Sequence, residues 1–192
     1  MWISASRKFA FVHIPKIAGS SVVSSLRPFG LRHKGKVQHA NVRKLKNYLG
    51  NDFKKYFIFC FVRNPFEVAV SLYEYMKRTP YHYRYKRVKK MSFEDFLNYA
   101  PKELKKNCWN FITNSNGEIL VNFIGRYEKL SKDFSKICKK IGINTKLVYI
   151  NKTKKTYKDY RKYYNSNCIE LVKKYRQIDI EKFNYTFDGN KK

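Results

Sequence analysis

The stretch KYFIFCFV (Lys55–Val62) constrains the fold more than any other part of the chain. It is almost continuous in aromatic and β-branched residues and shows no alternation of apolar and polar positions. A strand with one wet face alternates. A strand that does not alternate is covered on both faces, which is the situation inside a parallel sheet flanked by helices. Arg63-Asn64-Pro65 follows at once and reads as strand end, helix N-cap and first helical residue. Proline suits that last position because its φ is already helical and its missing amide would be unbonded there in any case. The helix runs to about Arg78, and Thr79-Pro80 ends it.

The same plan occurs earlier. KFAFVHI (Lys8–Ile14) reads as a buried strand, and a helix follows from about Ser20 to Leu26. Further along, HANVRKLKNYLG (His39–Gly50) and SFEDFLNYA (Ser92–Ala100, capped by Ser92) have helical spacing. ILVNFIGRYE contains a strand, and KLSKDFSKICKKIG a helix closed at Gly142. KLVYI (Lys146–Ile150) reads as a last short strand. Two helices are expected near Tyr160–Lys174 and Ile178–Phe183. Arg27–Lys36, with Pro28, Gly30 and Gly35, reads as a loop, and NSNGE (Asn114–Glu118) as a turn. There is no repeat and no linker. The expectation is one α/β domain over residues 1–192 with a central, mainly parallel sheet flanked by helices.

Composition limits the function classes. The chain carries 42 Lys+Arg against 14 Asp+Glu, a net charge of +28, which predicts anionic partners without choosing among them. With 43% hydrophobic and 17% aromatic residues it is a folded globule rather than a basic tail. Cys60, Cys108, Cys138 and Cys168 form no CxxC pair, so neither a zinc site nor a redox motif is indicated, and no metal is expected. No apolar stretch reaches the roughly 18 residues of a membrane span, and no signal-peptide pattern opens the chain. The expected location is soluble and cytoplasmic.

Two junctions have the chemistry of anion sites. In FVHIPKIAGSSV (Phe11–Val22), the Gly19-Ser20-Ser21 amides stand at a helix start, where unbonded donors and the helix dipole favour an anion, and Lys16 adds a cation. The lysine precedes the glycine, so this is not the GxxxxGK[ST] nucleotide loop. In CFVRNPFEVAVSLYEY (Cys60–Tyr75), Arg63 projects from the carboxyl end of a strand, where open α/β sheets bind ligands. Ser71 lies two helical turns beyond Asn64 on the same helix face. An arginine fork with a serine hydroxyl makes a second phosphate clamp. Two such clamps on adjacent strand ends suit a ligand with two separated anionic groups.

These residues carry a family resemblance. HIPKIAGSSV resembles the HIPKTAGTS-type 5′-phosphosulfate loop of sulfotransferases that use 3′-phosphoadenosine 5′-phosphosulfate (PAPS), and FVRNPFEVAVSLYEY resembles their 3′-phosphate motif. NFIGRYEKLSKDF (Asn122–Phe134), NKTKKTYKDYRKYY (Asn151–Tyr164) and DIEKFNYTF (Asp179–Phe187) are similar to later segments of the same family, in the same order. The nearest branch is that of the compact carbohydrate-type sulfotransferases. The resemblance implies an α/β fold like that of nucleotide kinases, with Lys16, Gly19, Ser20 and Ser21 on the 5′-phosphosulfate. It implies Arg63 and Ser71 on the 3′-phosphate, Tyr127 at the adenine, and Lys152 and Thr153 closing over the nucleotide. The implied reaction moves a sulfuryl group to an acceptor hydroxyl, with Lys16 stabilising the departing oxygen.

For the base, QHANVRKLKNYLG is similar to a family segment that places a catalytic histidine, which selects His39; a helix N-terminus would keep it neutral. His13 reads as a core histidine, and Glu67 and Glu74 are secondary candidates. Ile17 departs from the family, which usually has Thr or Ser there. A catalytically impaired nucleotide binder is therefore one alternative. A basic nucleic-acid-binding module is the other, because Tyr81–Lys90 interleaves tyrosines with cations, although no known nucleic-acid motif occurs.

Overall fold

The computed structural model describes residues 1–35, 38–150 and 156–189. In chain order its elements are β1 (Trp2–Ser4), β2 (Phe9–Val12), α1 (Gly19–Leu26), β3 (Arg32–His33), α2 (Val42–Leu49), β4 (Phe57–Val62) and α3 (Pro65–Arg78). There follow α4 (Tyr85–Val88), α5 (Phe93–Tyr99), α6 (Trp109–Ile112), β5 (Phe123–Arg126), α7 (Leu130–Lys140) and α8 (Ser166–Lys182). The chain divides into two compact units, Met1–Arg63 with Cys108–Asn151, and Asn64–Asn107 with Lys152–Lys192.

The first unit holds one five-stranded sheet of order β3-β1-β2-β4-β5, and the fold class is α/β. β2, β4 and β5 are parallel, with Val12 opposite Cys60 and Val62 opposite Arg126. Every residue of β2 is buried, and so are Ile58–Val62 of β4, as the unbroken apolar run requires. Phe11 stacks on Phe59 with ring centroids 5.2 Å apart. Each phenylalanine buried in this way contributes about 1.5–3 kcal/mol. Gly125 has a packing reason: a Cβ there would lie 2.5 Å from the Phe61 ring. Asn122 fixes where β5 begins. Its amide donates to the Ile58 carbonyl and its Oδ1 accepts from the Ile58 amide, both at 2.7 Å.

Three expectations change here. β1 and β3 extend the sheet in antiparallel fashion through Trp2–Ser4 and through Arg32–His33, the latter inside the expected loop. Trp109–Ile112 adds a short helix that was not foreseen. KLVYI is not a strand. The Val148 amide donates to Ser25 Oγ at 2.8 Å and the Ile150 amide to Ser21 Oγ at 3.1 Å, so α1 hydroxyls take the place of a ladder.

The second unit is helical. Its core includes Phe66, Met76, Val88, Phe96, Leu97 and Val172. Asn64 caps α3 as expected, its side chain accepting from the Phe66 amide at 3.0 Å. Ser92 caps α5 in a reciprocal box with Asp95. Tyr81–Lys90 is folded: Val88 is fully buried, and α4 and its flanking turns hold Tyr81 and Tyr83 in solvent. The two expected C-terminal helices are present as two stretches of α8 that meet at a kink, where Arg176 leaves helical dihedrals (φ −125°, ψ 17°). That guanidinium is buried against the Lys106 carbonyl and the Asp179 carboxylate, which explains the bend. The first of the expected pair begins late, because Tyr160–Tyr163 is a 3₁₀ turn and Asn165 caps the helix by accepting from the Cys168 amide at 2.8 Å.

Candidate anion-binding site

The site lies in the first unit, at the carboxyl ends of β2, β4 and β5. Register places its parts. Arg63 stands one residue past Val62, and Tyr127 one residue past Arg126, its opposite number on the neighbouring strand. The two side chains therefore run alongside each other, and the guanidinium lies over the phenol ring at 3.8 Å from its centroid. Arg63 is buried and donates through Nη1 to the Lys16 carbonyl at 3.0 Å, which ties the end of β4 to the loop after β2. Asp133, from the FIGRYEKLSKDF segment, secures the third strand end by accepting from the Arg126 amide at 2.9 Å. Its role was not foreseen; a buried aspartate three residues into a helix that follows a strand is the signal that could have shown it.

The loop itself is sharply turned. Lys16 and Ala18 both take left-handed backbone conformations, at φ +65° and +52°. Between them Ile17 is buried. The departure from the family at Ile17 is thus an apolar anchor pointing into the core. α1 has Ala18 at its N-cap with no side-chain cap, and its first internal bond runs from the Val22 amide to the Ala18 carbonyl at 3.2 Å. The amides of Gly19, Ser20 and Ser21 precede that ladder, which is the arrangement that receives anions. Ser20 is exposed, while the Ser21 hydroxyl is occupied with the Ile150 backbone. Lys16 is half-buried; burial, and then the positive charge of Arg63, bring its ammonium down to about 8.

His39 also belongs to this unit. Its Nδ1 lies 2.9 Å from the His13 carbonyl oxygen. A carbonyl can only accept, so Nδ1 carries the hydrogen and Nε2 has the lone pair a base requires. The reason expected for its neutrality does not hold. α2 begins at Val42 with Asn41 as its cap, so His39 lies ahead of the helix start, and the His13 carbonyl selects its tautomer rather than its charge. His13 is buried, and burial followed by the charge of His39 holds its imidazole down at about 3, so it is neutral.

Ser71 is buried on α3 in the second unit. Lys152 and Thr153 lie outside the described residues. Glu74 is fully buried in the second unit and takes hydrogen bonds from Arg78, Thr156 and Tyr163. Burial raises its carboxyl, but those bonds outweigh it and hold the group below its ordinary value. It clasps Thr156 and Tyr163. Among the described residues, no cluster of three or more His, Cys, Asp or Glu side chains is arranged to hold a metal ion. No helix among them is long and apolar enough to cross a membrane.

Helix-start amides, a lysine and an arginine gathered at the ends of parallel strands have the chemistry of an anion site on an α/β fold. Comparison with known proteins narrows that class. The chain belongs to the sulfotransferase family, whose model matches residues 1–186. It is similar to a protein of Archaeoglobus fulgidus described only as uncharacterized, with 34% identity over 113 residues, covering 54% of this chain and 82% of that protein. No solved structure matches the chain.

Proposed function

We propose that the protein transfers a sulfuryl group from PAPS to a hydroxyl of a carbohydrate acceptor by in-line displacement. The observation that carries this reading is Arg63, which is hydrogen-bonded to the lysine loop and stacked on Tyr127 at once. It joins a cationic loop, a guanidinium fork and an aromatic face in one register. A nucleotide with separated 5′ and 3′ anionic groups fits that donor set. Lys16 and the amides of Gly19, Ser20 and Ser21 suit the 5′-phosphosulfate, and Arg63 the 3′-phosphate. Arg63 takes one face of Tyr127, and we assign the other to the purine. The nucleotide roles of Ser71, Lys152 and Thr153 rest on the resemblance of the motifs that carry them. The acceptor class follows the resemblance to the carbohydrate-type branch.

PAPS supplies an activated sulfuryl group on a phosphate leaving group. As the acceptor oxygen bonds to sulfur, its proton passes to His39 Nε2, and the electron pair of the breaking S–O bond leaves with the phosphate oxygen. Lys16 and the α1 amides meet the charge that grows there, and they stabilise it more in the transition state than in the ground state. Because Ile17 faces the core, these contacts do not depend on a hydroxyl at that position, which favours a working enzyme over an impaired binder.

The test is a thermal-shift titration with 3′-phosphoadenosine 5′-phosphate, alongside ATP and adenosine 5′-phosphate. The 3′-phosphorylated nucleotide is expected to stabilise selectively, by about 2.7 kcal/mol at a hundredfold excess over its Kd. An equal response to adenosine 5′-phosphate sinks the 3′-phosphate role of Arg63 and Ser71.

A further inference from the structure

Among the described residues of this unit, His13 is the buried histidine, and the proposed reaction leaves it without a task. It follows β2 directly and touches both halves of the chemistry. Its carbonyl accepts the Nδ1 hydrogen of His39 at 2.9 Å. Its ring meets the His39 ring edge-on, with centroids 4.5 Å apart and planes at 69°, and stacks on Phe11 at 5.5 Å. The ring also presses on the start of α1. A Cβ on Gly19 would lie 1.8 Å from His13 Nε2 and 1.9 Å from Cδ2, so only glycine admits the ring.

A buried polar atom calls for an explanation. His13 is 5% exposed, and its Nδ1 has no hydrogen-bond partner among the described residues. As core packing alone, an apolar side chain would avoid that desolvation. A flat five-membered ring does something a phenyl ring does less well: it fits between the Gly19 backbone and His39 without pushing either away. The ring is uncharged at working pH, so it does not oppose the positive charge His39 gains when it takes a proton.

We propose that His13 is a positioning residue that sets base and donor loop together: its carbonyl selects the Nδ1–H tautomer of His39, and its ring, wedged between His39 and Gly19, fixes the start of α1 relative to that base. The distance from the proton-accepting nitrogen to the anion-binding amides is then held by one side chain. The proposal rests on the reading of His39 as the base and of the α1 start as the donor site.

The test begins with the tautomer, which can be read without turnover. In ¹⁵N-labelled protein, long-range imidazole correlations are expected to show neutral His39 as the Nδ1–H form, opposite to the preference of free histidine. His13→Ala keeps the carbonyl but removes the ring that packs His39 beside it, so His39 turns away from that acceptor and the population moves toward Nε2–H. The acid limb of the transfer pH profile shifts with it, and affinity for 3′-phosphoadenosine 5′-phosphate falls about tenfold to a hundredfold. Gly19→Ala approaches the same contact from the other side and is expected to disturb both readouts. Combining it with His13→Ala relieves the clash and recovers part of the loss. A purely structural role would lower the melting temperature of His13→Ala and leave tautomer and pH profile alone. A parent protein with His39 in the Nε2–H form overturns the proposal, whether or not the variants fold. So does a folded His13→Ala protein with parental tautomer and parental nucleotide affinity. If the parent protein does not bind the nucleotide at all, the functional reading fails, while the tautomer still reports on His13.

Discussion

Lys16 shows how a single residue is tuned by its place in the loop. Two non-glycine residues in left-handed conformations, Lys16 and Ala18, cost about 1–3 kcal/mol each, and they persist only where neighbours over-determine them. Ile17, buried between them, and the Arg63 bond to the Lys16 carbonyl do that work. One result is an ammonium held beside a guanidinium, down to about 8 rather than in the usual lysine range. A bound phosphate would favour the charged ammonium and raise its pKa, so binding takes up a proton once pH exceeds the value in the unliganded protein. Affinity for 3′-phosphoadenosine 5′-phosphate should therefore be level between about pH 7 and 8 and fall above it, by up to about tenfold per pH unit. Calorimetric titrations across that range read it directly. Lys16→Met should be weaker throughout and lack the alkaline fall; the same fall in that variant refutes the assignment to Lys16.

At the scale of elements, α1 serves two surfaces. Its first-turn amides are the donors of the proposed anion site, and one turn apart its Ser21 and Ser25 hydroxyls hold the Ile150 and Val148 amides. Ser25 also donates to the Ser21 carbonyl at 2.9 Å. Each side-chain bond of this kind is worth about 0.5–1.5 kcal/mol net. Ser21→Ala and Ser25→Ala should each destabilise by that amount, and hydrogen exchange at Ile150 and Val148 respectively should quicken. Unchanged protection at those two amides would show that the segment is held by other contacts. This latch also explains a sequence misreading. KLVYI has the composition of a strand, but composition reports apolar character and not which donor meets the amides. Serines at helical spacing could have signalled the latch only to a reader who already knew that the segment lies on α1. By contrast, β2, β4 and α3 were legible, because buried strands and a proline-started helix are local properties. β1 and β3, three and two residues long, carry no period to read. In the site, Lys16, Arg63 and the α1 amides were visible as local patterns. The stack of Arg63 on Tyr127 and the His13–His39 pair arise from register and long-range folding, which spacing does not encode.

The whole chain carries a net charge of +28, with 42 basic side chains and only 14 acidic ones to offset them. Several of those acids are already engaged in pairs such as Arg84–Glu103 and Lys136–Asp133, so most cations face other cations. Self-repulsion of this kind favours expanded states and is weakened by salt. The screening length falls from about 30 Å at 0.01 M to about 8 Å at 0.15 M, which removes much of the repulsion between distant surface lysines. The melting temperature should therefore rise over that interval of sodium chloride, by about 2–4 °C for each kcal/mol recovered. A specific anion site adds a second term with a different signature: it saturates at low concentration of the 3′-phosphorylated nucleotide and depends on Lys16. In Lys16→Met the sodium chloride effect should persist, because one charge of 42 is gone, while the nucleotide effect falls away. Thermal scans of both proteins against both titrants separate the terms. A melting temperature that stays flat or falls with sodium chloride would mean that the positive surface does not strain the fold. Loss of both effects together in the variant would mean that the stabilising action of salt comes from anion binding at the strand ends and not from screening.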